Sequence, residues 1–204
     1  MKYAFLALIW LGWCSCHSAL ISMRVTGYLR QGLGDRFRYY RLAYNGFSLI
    51  TLIPVVLYSD GIRGEPLFSW EGYWRGVQGL LLAASLFLFI AGGRHYDGLA
   101  FLGLRQLRGR SSCVGLSETC GLNTGGILGV MRHPWYAGGM MIIWARELDL
   151  SAIITNVILT GYLIVGTVLE ERKLSLEFPE AYKEYQQRVS MFFPFQWLRS
   201  KWKG

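Results

Sequence analysis

The sequence lacks the common marks of metal, disulfide and nucleophilic chemistry. Its four cysteines form no Cys-x-x-Cys pair. Cys14 and Cys16 sit in an apolar run, while Cys113 and Cys120 fall in a loop expected on the cytoplasmic side, where disulfides do not persist. Two cysteines alone make a poor zinc site, so no metal is expected. No serine, histidine and aspartate triad stands out, and no internal repeat or low-complexity segment occurs. Lys2 followed by an apolar run imitates a secretory signal. No small-x-small cleavage pattern follows it, and Trp13 and Ser15 do not suit lipoprotein processing, so a retained span is expected.

Charge is also missing where it matters most. Tyr3–Met23, Leu42–Ser59, Gly76–Gly93 and Ser151–Leu169 hold no Asp, Glu, Lys or Arg. About 18 such residues cross a ~30 Å hydrocarbon layer as helix, whereas a soluble helix of that length shows a charged face. The expected class is therefore an all-α integral membrane protein, a single membrane domain over 1–204. Its spans are expected near 3–23, 42–59, 76–93, 134–149 and 151–169. The last two form a hairpin, with a loop at 94–133 and a tail at 170–204 completing a site. Pro134–Ala145 is too short to span alone. It becomes a span if Arg146, Glu147 and Asp149 cap its outer end and a tight turn leads into Ser151.

What is there in excess is positive charge, 21 Lys and Arg against 13 Asp and Glu. Arg24, Arg30, Arg36, Arg38 and Arg41 fill the first loop, and Arg94, Arg105, Arg108, Arg110 and Arg132 the third. The second, with Asp60, Arg63, Glu65, Glu71 and Arg75, is mixed. This alternation is a membrane-topology signature and argues against nucleic acid as a partner. It places the N-terminus outside and the C-terminus on the cytoplasmic side. Tyr39, Tyr40 and Tyr44 read as an aromatic belt, Pro54 as a kink in the second span, and the third span as a close-packing helix. His17 and the pair His95 and Asp97 are weak ligand candidates. In the tail, Pro179 and Glu180 predict a helix start, with Tyr182, Tyr185 and Val189 on one face. Phe192, Phe193, Phe195, Trp197 and Trp202 among Arg199, Lys201 and Lys203 read as an interfacial anchor for membrane lipids.

Two polar clusters flank the predicted hairpin. One runs from Leu122-Asn123 through Gly125, Gly126 and Gly129 to Arg132-His133-Pro134-Trp135-Tyr136, the other is Glu170-Glu171-Arg172. A hairpin returns its ends to one leaflet, which brings His133 and Tyr136 toward Glu170 and Glu171. Charges at membrane depth are costly unless they face a cavity or each other. The glycines leave backbone N–H and C=O groups open to a ligand, and the aromatic faces suit a cation. An amphoteric cationic ligand fits these groups, although composition alone does not single one out. The plainer reading keeps Arg132 as a topology anchor and pairs Glu170 and Glu171 with Arg172 and Lys173.

The ordered series Leu-x-Thr-x-Gly, Arg132-His133-Pro134-x-Tyr136-x-Gly138, Glu170-Glu171 and Phe178-x-x-x-Tyr182-x-x-Tyr185-x-x-Arg188-Val189 resembles the isoprenylcysteine carboxyl methyltransferase family. Phospholipid methyltransferases share parts of it. Tyr40-Arg41-Leu42-x-Tyr44-Asn45, His95-Tyr96-Asp97 and Gly103-Leu104-Arg105-Gln106 resemble a bacterial branch with methanethiol S-methyltransferases and NnrU-type proteins. The resemblance implies a five-span fold whose last hairpin and tail enclose S-adenosylmethionine near the cytoplasmic face. It implies cofactor contacts from Leu122, Asn123, His133, Pro134, Trp135, Tyr136 and Glu170, and a substrate side, with any catalytic role, at Glu171 and Arg172.

Leu128 stands where relatives have an aromatic, Pro179 replaces a glycine, and Ser190 replaces a proline. No charged group of the motif is lost. The implied activity is methyl transfer to a small or lipophilic thiol, carboxylate or amine. Such an in-line displacement relies on positioning and water exclusion, and needs no triad or metal. The alternatives are a non-catalytic scaffold or sensor and an NnrU-type redox-associated membrane protein. Transport is disfavoured by few buried charges and no pair of interrupted repeats.

Overall fold

The computed structural model describes residues 1–95, 98–107 and 121–202. In chain order the helices are α1 (Lys2–Ile21), α2 (Met23–Leu33), α3 (Tyr40–Gly61), α4 (Trp74–Gly93), α5 (Gly98–Leu102), α6 (Leu104–Leu107), α7 (Pro134–Trp144), α8 (Leu150–Glu177), α9 (Pro179–Arg188) and α10 (Phe195–Trp202). Tight 3-10 turns cover Gly34–Tyr39 and Gly126–Gly129. Among the described residues the only extended pairing is two isolated bridges, so the chain is all-α.

Four segments, Lys2–Ile21, Met23–Gly61, Trp74–Gly93 and Leu150–Glu177, are long and apolar enough to cross a membrane. Leu8, Leu49, Ile50, Leu57, Leu80, Phe87, Val157 and Leu169 on these segments are more than half exposed. So much bare apolar side chain would aggregate in water and is what lipid covers. This is a multi-pass integral membrane protein. The fifth apolar segment departs from the expected 134–149. It forms 11 residues of helix, about 16 Å of rise, short of the ~30 Å core.

The first loop is not a loop. Ser22 accepts from the Val25 amide at 3.4 Å, which caps α2, and α2 continues through the glycines to Leu33.

The described residues fall into two compact units. The first draws on Met1–Phe68, Asp97–Leu116 and Leu148–Ile158. Its α1 and α3 are tied by polar bonds along their length. Trp10 Nε1 donates to Ser59 Oγ at 2.9 Å, Trp13 Nε1 to Thr51 Oγ1 at 3.2 Å, and Tyr44 Oη lies 2.7 Å from His17 Nε2. Tyr44 is 5% exposed, so it belongs to this seam and not to the expected aromatic belt. Asp149 accepts from the Ala152 amide and from the Gly64 amide, each at 2.8 Å. One buried carboxylate thus starts α8 and anchors the expected surface connection. That connection also pairs Phe68 with Leu148.

Two sequence signatures of the bacterial branch meet here. Arg41 Nε and Asn45 Nδ2 donate to the Phe101 carbonyl at 3.2 and 3.1 Å. Gly103 turns at φ +90°, and a Cβ there would lie 2.8 Å from the Leu42 amide nitrogen. Their spacing therefore serves packing.

The second unit draws on Ser69–Tyr96, Ser117–Glu147 and Leu159–Gly204. α4, expected to pack closely, does so on α7 at small residues. A Cβ on Gly92 would sit 2.5 Å from Trp135 Cδ1, and one on Gly138 3.3 Å from the Ser85 carbonyl. Ser85 Oγ donates to the Gly138 carbonyl at 2.9 Å. α7 meets α8 where the Tyr136 ring lies over Gly166, 3.4 Å from its Cβ direction, and where Trp144 Nε1 donates to Thr160 Oγ1 at 2.9 Å. The tail helix α9 begins where its proline and acid predict. Its Tyr182, Tyr185 and Val189 form a buried cluster with Leu122, Leu174 and Phe178.

Candidate functional site

All of the geometry that follows lies in the second unit. Just before α7 the backbone of Arg132 and His133 runs beside the tail. The Arg132 amide donates to the Ser190 carbonyl at 2.9 Å and the His133 amide to the Met191 carbonyl at 3.1 Å. Pro134 disfavours helix at His133, the residue before it, whose φ of -127° and ψ of 65° are not helical, and it occupies N1 of α7.

This pairing aims two side chains at α8. Arg132 Nε donates to Glu171 Oε1 at 2.7 Å, and Nη2 lies 2.7 Å from the same oxygen. Arg132 Nη1 donates to the carbonyls of Gln186, at 3.3 Å, and Val189. His133 Nε2 lies 3.1 Å from Glu171 Oε1, and Gln186 Nε2 donates to Glu171 Oε2 at 3.0 Å. Both carboxylate oxygens of Glu171 are thus engaged, and its side chain is 11% exposed. A buried ion pair holds only when extra hydrogen bonds satisfy its charges, and these do. Glu171 is the junction of α7, α8 and α9.

Glu170 is placed differently. Its Oε2 lies 3.9 Å from His133 Nδ1, beyond hydrogen-bonding distance. His133 is 2% exposed, and its Nδ1 is buried without a hydrogen-bond partner. Because Nε2 faces a carboxylate, it carries the proton in neutral imidazole, and Nδ1 then presents a lone pair. Tyr136 and Phe192 stand around the ring at centroid distances of 5.6 and 6.3 Å. His133 Nδ1 is thus unspent, beside a carboxylate that is one third exposed.

The Gly-rich approach is built on the same elements. Tyr185 Oη donates to the Leu128 carbonyl at 2.6 Å. Leu128 is itself 6% exposed, so this position serves the core. Burial pushes the phenol of Tyr185 up from its ordinary pKa. Burial does the same for Tyr182, helped by the Glu171 charge, so both phenols stay neutral. Asn123 Oδ1 accepts from the Gly125 amide at 3.0 Å. Gly126 turns at φ +54°, and the His95 ring occupies its Cβ position, with Nε2 at 2.4 Å.

Of the residues expected at the site, His133, Tyr136, Glu170 and Glu171 come together, and Pro134 sets their backbone. Leu122 packs on α9. Asn123 is exposed and its Nδ2 lies 3.4 Å from His95 Nδ1. Trp135 points to α4, where its Nε1 donates to the Phe89 carbonyl at 3.1 Å. Arg172 is exposed and is not among the partners of Glu171. Sequence reasoning missed Gln186 and the role of Arg132. The signal for Gln186 was its placement one turn after Tyr182, on the face of α9 that carries the buried tyrosines. His95 is tied to the Gly-rich segment, while its proposed partner Asp97 lies outside the described residues, as do Cys113, Cys120, Arg108 and Arg110.

The NnrU protein family matches residues 5–197. Among curated proteins, the chain is 38% identical over 66 residues to a methanethiol S-methyltransferase of Pseudomonas deceptionensis, covering 32% of this chain and 25% of that one. It is 39% identical over 71 residues to methanethiol S-methyltransferase 1 of Bradyrhizobium diazoefficiens, covering 34% and 24%. A methanethiol S-methyltransferase of a Pseudomonas species, strain GM41(2012), is 35% identical over 77 residues, covering 37% and 28%. The match thus spans about a quarter of the length of these relatives. No solved structure matches the chain significantly.

Proposed function

The chain belongs to the NnrU protein family, and from that premise we propose that it is a membrane methyltransferase that uses S-adenosylmethionine. The observation that carries the reading is the unspent Nδ1 of His133, buried 3.9 Å from the Glu170 carboxylate. A buried polar atom without a partner costs about 1–3 kcal/mol, and a ligand donor would relieve it. The similarity to methanethiol S-methyltransferases supports the choice of chemistry.

The donor set fits the cofactor. Glu170 would accept from the ligand's ammonium or ribose hydroxyls, and His133 Nδ1 from a second donor. Tyr136 would offer an aromatic face to positive charge. Leu122 and Asn123 would follow the adenosine through their backbone, with Pro134 and Trp135 holding the wall of α7. Glu171 would act as a positioning residue, fixing the tautomer of His133. Arg172, turned outward, would meet the acceptor only at the rim. When bound, the cofactor supplies a methyl group on a cationic sulfur, which leaves as a neutral thioether once an acceptor lone pair displaces it in line. The protein's part is to align the two partners and exclude water. The acceptor class is a small or lipophilic thiol, carboxylate or amine. The membrane admits it laterally, with the cofactor side facing the cytoplasm.

A second reading, a scaffold or sensor of the same fold, is favoured by one observation, the complete internal satisfaction of Glu171. Incubation of the detergent-purified protein with methyl-labelled S-adenosylmethionine and methanethiol, longer alkyl thiols or lipid carboxylates separates the two. The enzyme yields labelled thioether or ester with equal S-adenosylhomocysteine. A folded protein that leaves the cofactor intact with every acceptor is a scaffold.

A further inference from the structure

The first unit holds a groove that the methyl-transfer reading does not use. It lies between α1 and α3, is open on one side and has a volume of about 330 Å³, the lower end of the range for small-molecule sites. Its polarity changes along its length. His17, Phe47 and Ser48 stand at one end and Ile9 and Val55 at the other, with Gly12, Trp13 and Thr51 between them.

The polar end is partly spent. Thr51 donates to the Phe47 carbonyl at 2.8 Å and accepts from Trp13 at 3.2 Å. Ser48 Oγ lies 3.1 Å from His17 Nδ1, and a hydroxyl can both donate and accept, so it retains capacity toward the groove. Trp13 and His17 are stacked, with ring centroids 4.8 Å apart and an interplanar angle of 21°.

We propose that this groove binds a neutral, flat-headed lipid of the quinone type. No Lys, Arg, Asp or Glu lines it, so a phospholipid headgroup or a fatty-acid carboxylate finds no counter-charge. Trp13 and Phe47 give the groove aromatic surface that suits a flat conjugated head. The Ser48 hydroxyl suits a carbonyl or phenol at its edge, and the apolar end beside Ile9 and Val55 suits a tail. Gly12 lines the groove between these ends, and a Cβ there would meet nothing within 4 Å.

That open glycine provides the test. A benzoquinone carrying a ten-carbon tail is titrated into the detergent-purified full chain, and tryptophan fluorescence is read. The wild type shows saturable quenching, and Trp13→Phe removes part of its amplitude. Gly12→Leu fills the groove without meeting backbone and abolishes saturation, while circular dichroism and melting temperature stay those of wild type. Ser48→Ala weakens binding by about tenfold, the equivalent of one hydrogen bond. Equal quenching of wild type and a folded Gly12→Leu overturns the proposal. So does equal competition by an alkylbenzene of the same tail or by a phospholipid. If Gly12→Leu fails to fold, an unchanged affinity in Ser48→Ala overturns it.

Discussion

At the scale of single residues, Glu171 is the group on which the local structure depends most. It takes hydrogen bonds from Arg132, Gln186 and His133. Removing one partner of a buried ion pair strands the other, at about 3–5 kcal/mol. Glu171→Ala and Arg132→Ala should each lower the melting temperature of the detergent-solubilised protein strongly. The double substitution should cost much less than their sum, since the stranded charge is gone. Arg132→Lys should behave nearly like the alanine variant, because one ammonium cannot reach a carboxylate and two carbonyls in the fork geometry. Equal melting of Arg132→Lys and wild type would count against this. The approach of His133 to Glu171 was legible in the sequence, but the parts of Arg132 and Gln186 were not. Arg132 read as a topology anchor because a charge beside an apolar run has that ordinary use, and its partner lies 39 residues away. Tyr44 was misplaced for the same reason, since a tyrosine near a helix end looks alike whether it faces headgroups or a histidine.

At the scale of elements, apolar runs without charge were a sufficient guide to α1, α3, α4 and α8, because hydrocarbon tolerates only helix with its backbone bonds closed internally. The signals failed where length and charge were ambiguous. Met23–Leu33 carries arginines and glycines and looked like a connection, yet Ser22 caps it into α2. α7 stopped at Trp144 instead of spanning. Close packing of α4 was expected from its small residues, but its partner α7 and the glycine that matters needed coordinates. Gly92→Ala would drive a methyl into the Trp135 ring, and overpacking of this kind costs about 1–3 kcal/mol. The variant should melt lower, and Trp135→Ala should restore part of the loss. Gly126→Ala should be worse tolerated than a typical loop change, since both the positive φ and the His95 ring oppose it.

At the scale of the whole molecule, the charge asymmetry of the connecting segments predicts orientation, with the arginine-rich stretches inside. With the four native cysteines replaced by serine, Asp60→Cys should react with a membrane-impermeant maleimide in intact cells. Ser200→Cys should react only after permeabilisation. The reverse pattern would put the candidate site on the wrong face for a cytoplasmic cofactor. The family-wide match over residues 5–197 sets the fold of the chain in context, while the proposed activity rests on the chemistry of one cluster. The most direct measurement is therefore a calorimetric titration of S-adenosylmethionine into the purified full chain, its Glu170→Ala variant and its His133→Ala variant. The account predicts saturable one-to-one binding by wild type, weakened by about tenfold or more in each variant, the worth of a charge-assisted contact. A folded wild type that takes up no cofactor, or variants that bind as tightly as wild type, would contradict it.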